Sequence, residues 1–204
     1  MYRFLALSVL ALSYACGQQQ VAVDPAAEYQ ISAQTACDSA DISTLPERAS
    51  IEVPYVEEEP NYCGPASLSM VMGFYGKSVD QSTIGSDIVG EKGVTIDNLV
   101  DKAQSYGFDA FTGSCQFNGL LGFLAEGKPV IARVLSNEGT NGHFIVVTGY
   151  DNSLGVLYVN DPAQPNRLTV TFDEFSEMWN ITTLGDNNSA NIVIIVSPTN
   201  LPTN

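Results

Sequence analysis

Apolar and polar positions change rhythm near Pro129. Before it, apolar residues recur at three- and four-residue intervals. Across Gly64–Phe74, residues Ala66, Met70, Val71 and Phe74 fall on one helical face. Pro65 suits the first turn, where a missing N–H costs nothing, and Gly76 suits the stop. The same reading predicts helices over Gln81–Val89, Thr95–Tyr106 (Ile96, Leu99, Val100 and Ala103 inward) and Asn118–Ala125. After Pro129 the chain breaks into short β-branched-rich runs between turn residues. Val130–Leu135, Phe144–Tyr150, Val156–Asn160, Leu168–Thr171 and Asn191–Val196 are predicted strands. Asp173–Trp179 interrupts them as a short helix. Helices first and strands second is the α+β pattern, an antiparallel sheet against segregated helices.

The chain ends read differently. Met1–Arg3 and the apolar run Phe4–Leu12 form an export signal, predicted over residues 1–15. That run is too short to span a bilayer comfortably. Ser13-Tyr14-Ala15-Cys16-Gly17 resembles the lipobox of bacterial lipoproteins. The resemblance implies lipidation of Cys16 and a membrane anchor in the cell envelope; ordinary signal cleavage, giving a secreted or periplasmic protein, is the alternative. Residues 16–50 lack a sustained apolar period and read as a flexible tether. The folded domain is predicted at 51–198, followed by a tail at 199–204.

Composition narrows the partners. Twenty-three Asp and Glu against eight Lys and Arg give a net charge of −15. Such a surface repels phosphate backbones, so nucleic acid is excluded as a partner. Hydrophobic residues make up 45% of the 204 positions, enough for one ordinary core and a monomer. The one histidine, His143, rules out multi-histidine metal sites, and no two cysteines are spaced as chelating pairs. No metal and no cofactor are expected.

The chemistry concentrates on three residues. Cys63 precedes Gly64-Pro65 at a helix N-terminus, where dipole and N–H groups favour a thiolate. His143 opens the most apolar strand, and Asp161 ends the following one. Neighbouring antiparallel strands bring such positions together. Imidazole then activates the thiol and the acid orients the imidazole.

Several segments carry a family resemblance. Pro60-Asn61-Tyr62-Cys63-Gly64-Pro65-Ala66-Ser67-Leu68 resembles the cysteine motif of the bacteriocin-processing, double-glycine-leader peptidases and their free-standing relatives in the papain clan. Gly142–Tyr150 is similar to their histidine strand, Asn160-Asp161-Pro162 to their acid motif, and Phe172–Trp179 to the helix closing the domain. The resemblance implies a papain-like fold and a peptide or protein substrate. Its implied roles are nucleophile for Cys63, general base for His143 and orienting acid for Asp161. In the best-known members this domain is fused to an ATP-driven exporter, and nothing in these residues reads as such a module, so their leader-peptide substrate is not carried over. The family usually places an oxyanion-binding glutamine shortly before the cysteine. Glu58 occupies that position, and an ionised carboxylate cannot donate a hydrogen bond.

With Cys16 and Cys63 assigned, Cys37 and Cys115 remain as a candidate disulfide; the alternative is a buried Cys115 and a free Cys37. Three functions stay open. They are an exported cysteine peptidase, an inactive papain-like peptide-binding protein, and a γ-glutamyl transferase of the phytochelatin-synthase type.

Overall fold

The computed structural model describes residues 24–91, 93–136, 142–180 and 190–199. Its strands are β1 (Arg48–Ser50), β2 (Phe108–Ser114), β3 (Val130–Leu135), β4 (Gly142–Asp151), β5 (Val156–Asn160), β6 (Leu168–Thr171) and β7 (Ile192–Pro198). Its helices are α1 (Pro25–Ser39), α2 (Cys63–Phe74), α3 (Gln81–Gly85), α4 (Ile96–Ser105), α5 (Phe117–Ala125) and α6 (Phe172–Trp179). The strands form one sheet in the order β2-β7-β3-β4-β5-β6, and β1 adds to β4 off that path. Every pairing is antiparallel.

Successive side chains of a strand point to opposite faces, and here both faces of the central strands are covered. Val130, Ala132, Ile145, Val147, Val193 and Ile195 pack with α5 and α6. Ile131, Phe144, Val146, Ile194 and Val196 pack with α2 and α4. This is why β3, β4 and β7 read as continuous apolar runs rather than alternating ones. The helices therefore pack on both faces of an antiparallel sheet, the α+β arrangement expected from the sequence.

Helix α2 is enclosed. Gly64 through Met72 are all buried, so its apolar residues surround the axis instead of marking one face. The two hydroxyls this burial traps both donate to main chain, Ser67 to the Phe144 carbonyl at 3.2 Å and Ser69 to that of Val79 at 2.6 Å. At its C-terminus Gly76 takes φ +83°. The N–H of Gly76 donates to Gly73 and that of Lys77 to Met72, the pattern of a Schellman stop.

The stretch 16–50 requires correction. From Asp24 on it is folded: Asp24 caps α1 through the Ala26 N–H, and α1 packs on α5 and β2. Gln30 Nε2 donates to the Ala110 carbonyl at 2.7 Å, and Cys37 is joined to Cys115 by a disulfide. A Cβ on Gly119 would sit 2.7 Å from Cys37 Cα, so α1 and α5 touch backbone to backbone. Strand β1 pairs Ala49 with Tyr150. Only Ala33 and Cys37 of α1 are buried, too narrow a stripe to show as a period. Two smaller differences accompany it. Strand β2 lies in a stretch without a predicted strand, and α3 ends at Gly85 instead of Val89. The export signal and Cys16 lie outside the described residues, as do residues 200–204 of the tail. Among the described residues, no helix is long and apolar enough to cross a membrane.

Candidate active site

Three elements converge on one cleft. Cys63 is the first residue of α2, after Tyr62 and a left-handed Asn61 at φ 66°. No side chain caps that first turn, and Pro65 brings no N–H, which leaves main-chain N–H groups there for a ligand. His143 lies second in β4, opposite Val134 of β3. Asp161 follows the last residue of β5, whose Asn160 pairs with Val146 of β4. The pairing of β4 with β5 thus carries residue 161 next to residue 143.

His143 Nε2 and Asp161 Oδ1 lie 2.7 Å apart. Their side chains are 15% and 14% exposed, so water screens this pair far less than it would a surface pair. Asp161 Oδ1 also accepts the Ala163 N–H at 3.0 Å, which fixes the carboxylate in its turn. Burial pushes this carboxyl up, but His143 and the Ala163 N–H outweigh it and hold it below the ordinary value. Burial likewise pushes the His143 ring down, and Asp161 and Cys63 together overcome that and raise it to about 10. With Nε2 taken by Asp161, Nδ1 is the ring nitrogen left for Cys63. An imidazole held by a carboxylate beside a sulfur is the arrangement in which a ring activates a thiol.

Glu58 completes the cluster. A carboxylate oxygen of Glu58, the Cys63 sulfur and a His143 ring nitrogen all lie within 4.8 Å of one another. Glu58 Oε2 is buried without a hydrogen-bond partner. Burial pushes its carboxyl up, the His143 charge pulls it down, and Asp161 adds to the rise. The carboxyl is thus not turned out to solvent.

Its backbone is held from two sides. The Glu58 N–H donates to the Pro162 carbonyl at 2.9 Å, and Tyr55 Oη donates to the same oxygen at 3.1 Å. Gln81 accepts the Glu59 N–H at 2.9 Å and donates to the Glu57 carbonyl at 2.7 Å. Asn160 Nδ2 donates to the Val53 carbonyl at 3.2 Å. Sequence reasoning missed Gln81, Tyr55 and Asn160 as positioning residues. They act across gaps of 22 to 107 residues, where no local signal exists.

A cleft of about 250 Å³ opens beside Glu58, His143 and Asp161, walled by apolar side chains that include Val134, Leu135, Ile145 and Val170. The structure thus brings Cys63, His143, Asp161 and Glu58 together, and joins Cys37 to Cys115 on the α1–α5 side.

Residues 50–185 match the Peptidase_C39 like family. Among solved structures, the chain is 26% identical to a double glycine motif protease from an AMS/PCAT transporter, crystallised with the leader peptide. That likeness covers 74% of this chain and 94% of that one, at a TM-score of 0.56. The peptidase domain of Streptococcus ComA, a bi-functional ABC transporter involved in a quorum sensing pathway, is 21% identical over 72% and 99% of the chains, TM-score 0.59. A C39-like peptidase from Bacillus anthracis is 19% identical over 74% and 98%, TM-score 0.57. The comparison with curated proteins found none that matches. With its model matched over residues 50–185, two thirds of the chain, and the fold shared with these peptidase domains, this protein belongs to the Peptidase_C39 like family of papain-like cysteine peptidases.

Proposed function

We propose that this protein hydrolyses peptide bonds, with Cys63 as nucleophile, His143 as general base and then general acid, and Asp161 as the group that orients the ring. The observation that carries this reading is His143 held by Asp161 at 2.7 Å with the Cys63 sulfur on its other side. Sulfur attacks the carbonyl carbon, and the imidazolium gives its proton to the leaving amine. Water, activated by the neutral imidazole, then hydrolyses the thioester. Main-chain N–H groups at the α2 N-terminus serve the oxyanion. The double glycine motif protease was crystallised with a leader peptide, which supports a peptide as the substrate class here.

The test is labelling by iodoacetamide, read by peptide mapping. Cys63 is expected to react first, and His143→Ala to slow it strongly. Equal rates with and without His143 would defeat the reading.

Glu58 favours a second reading, a fold that binds peptides without turnover, because an ionised carboxylate repels the oxyanion. Trapping of a thioester from a mixed peptide library separates the two. We also propose that the mature chain begins at a lipid-bearing Cys16 in the cell envelope, on the strength of the short apolar run and the Ala15-Cys16 junction. Intact-mass analysis of the membrane fraction would show the acyl chains; a soluble product starting elsewhere would refute it.

A further inference from the structure

We propose that Glu58, Cys63 and His143 form a binding site for a thiophilic divalent cation of the Zn²⁺ type, and that the bound cation silences the thiol. The blocking rests on the peptidase reading; the binding does not.

Three different donor types meet here: a carboxylate oxygen, a sulfur and a ring nitrogen, all within 4.8 Å of one another. Zinc bonds of about 2.0–2.3 Å in a tetrahedron require donors about 3.3–3.8 Å apart, so side-chain rotations moving each atom by about 1 Å close the site. Three protein ligands leave a fourth position for water.

Two independent features point to a cation. Glu58 Oε2 is buried with no hydrogen-bond partner, an acceptor without a donor at the centre of the cluster. A cation at the centre of the cluster supplies the partner that this oxygen lacks. Secondly, His143 Nε2 is bound to Asp161 Oδ1 at 2.7 Å. A carboxylate behind a ligating histidine fixes the ring and raises its basicity, the support that metal-bound imidazoles generally have. The backbone of Glu58 is anchored to Pro162, and its neighbours Glu57 and Glu59 to Gln81, so the third ligand is delivered by a fixed segment. Glu57, Glu59 and a net charge of −15 favour the approach of a cation.

Counting histidines and cysteine pairs excludes only sites built from one residue type. A mixed site from three segments escapes that count. Binding displaces the one proton that the Cys63 sulfur and the facing His143 ring nitrogen hold between them, which passes to solvent, and the sulfur lone pair that would attack a carbonyl is spent on the metal. Glu58 therefore exchanges an oxyanion donor for a metal ligand. A glutamine there would offer an uncharged and weaker one.

The experiment titrates Co²⁺, as a coloured stand-in for Zn²⁺, into the full chain with its disulfide intact and without substrate. We expect one equivalent to produce a sulfur-to-cobalt absorption band, Zn²⁺ to displace it, and the melting temperature to rise with saturation. Cys63→Ser should abolish the band. Glu58→Gln should keep the band but weaken the dissociation constant by about tenfold or more, and Asp161→Ala by about 10–100-fold through the loosened ring. Thermal melts of each variant verify folding before titration. Absence of a saturable band, or the same affinity in wild type and Glu58→Gln, overturns the proposal. Because no substrate is present, a protein without turnover that still binds cobalt defeats only the peptidase reading. An active peptidase indifferent to Zn²⁺ defeats only this one.

Discussion

The main-chain N–H of Glu58 donates to the carbonyl of Pro162 at 2.9 Å, tying the segment before Cys63 to the turn that carries Asp161. The other side of that segment is closed by the Gln81 amide, which bonds both Glu57 and Glu59. Removing the amide leaves the turn side intact and frees the other. Gln81→Ala should lower stability by about 1–2 kcal/mol, for two side chain–main chain bonds. It should also lower the rate of Cys63 acylation by a peptidyl electrophile. A melt shift with an unchanged acylation rate would assign Gln81 to stability alone.

A Glu58 carboxylate oxygen lies within 4.8 Å of the Cys63 sulfur, and in the proposed mechanism its charge opposes the oxyanion that develops there. An amide removes that charge and adds an N–H donor. Glu58→Gln should raise hydrolysis of a mixed peptide library by about tenfold or more, the scale of one oxyanion donor. Unchanged or lower turnover would remove Glu58 from the oxyanion side.

In the proposed mechanism Asp161 acts through the ring and not on substrate. Asp161→Ala should slow labelling of Cys63 by about tenfold or more, since nothing then holds Nε2. Asp161→Asn keeps an oxygen that accepts the Nε2 proton, and should restore most of the rate. Equal loss in both variants would show that the charge of Asp161, rather than its position, is what matters.

The disulfide closes a separation of 78 residues between Cys37 and Cys115. Cross-links of that span contribute about 3–5 kcal/mol, so the double Cys37→Ser, Cys115→Ser variant should melt far below wild type. Gly119→Ala drives a methyl into the Cys37 main chain, which cannot step aside as a side chain would. A cost of about 1–3 kcal/mol is expected. Chemical denaturation measures both, and wild-type midpoints would mean that α1 does not contribute to the fold.

Burial pushes the phenols of Tyr29 and Tyr75 up to about 12, with Asp109 adding to the first. A phenol raised in the folded state favours folding fully below its unfolded value of 10, and that margin is lost as pH climbs towards 12. Stability should therefore fall between pH 10 and 12. Tyr29 Oη donates to Ser197 at 3.2 Å, whereas Tyr75 Oη is buried near the same hydroxyl without a well-formed hydrogen bond. Tyr75→Phe should flatten the alkaline fall and be neutral or stabilising at pH 7, because it deletes a hydroxyl without a well-formed hydrogen bond. A loss above about 1 kcal/mol at neutral pH would contradict this.

Local physics made much of the molecule legible in its sequence. The start and stop of α2 follow from Pro65 and Gly76, whose backbone preferences act within one turn. Five of the strands follow from β-branched runs between turns, and a cysteine opening a helix, a histidine opening a strand and an acid at the end of the next strand point to thiol chemistry. The tertiary structure decided what depends on contacts between distant segments. Helix α1 looks like a spacer because its composition is polar, and it becomes part of the domain only through Cys115, Ala110 and the bare backbone at Gly119. Strand β2 exists because β7, some eighty residues later, supplies its hydrogen-bond partners. Position 58 could be suspected from spacing alone. That its carboxyl is buried against the sulfur and the imidazole, with one oxygen unpartnered, follows from Pro162 and Gln81 gripping the chain on either side.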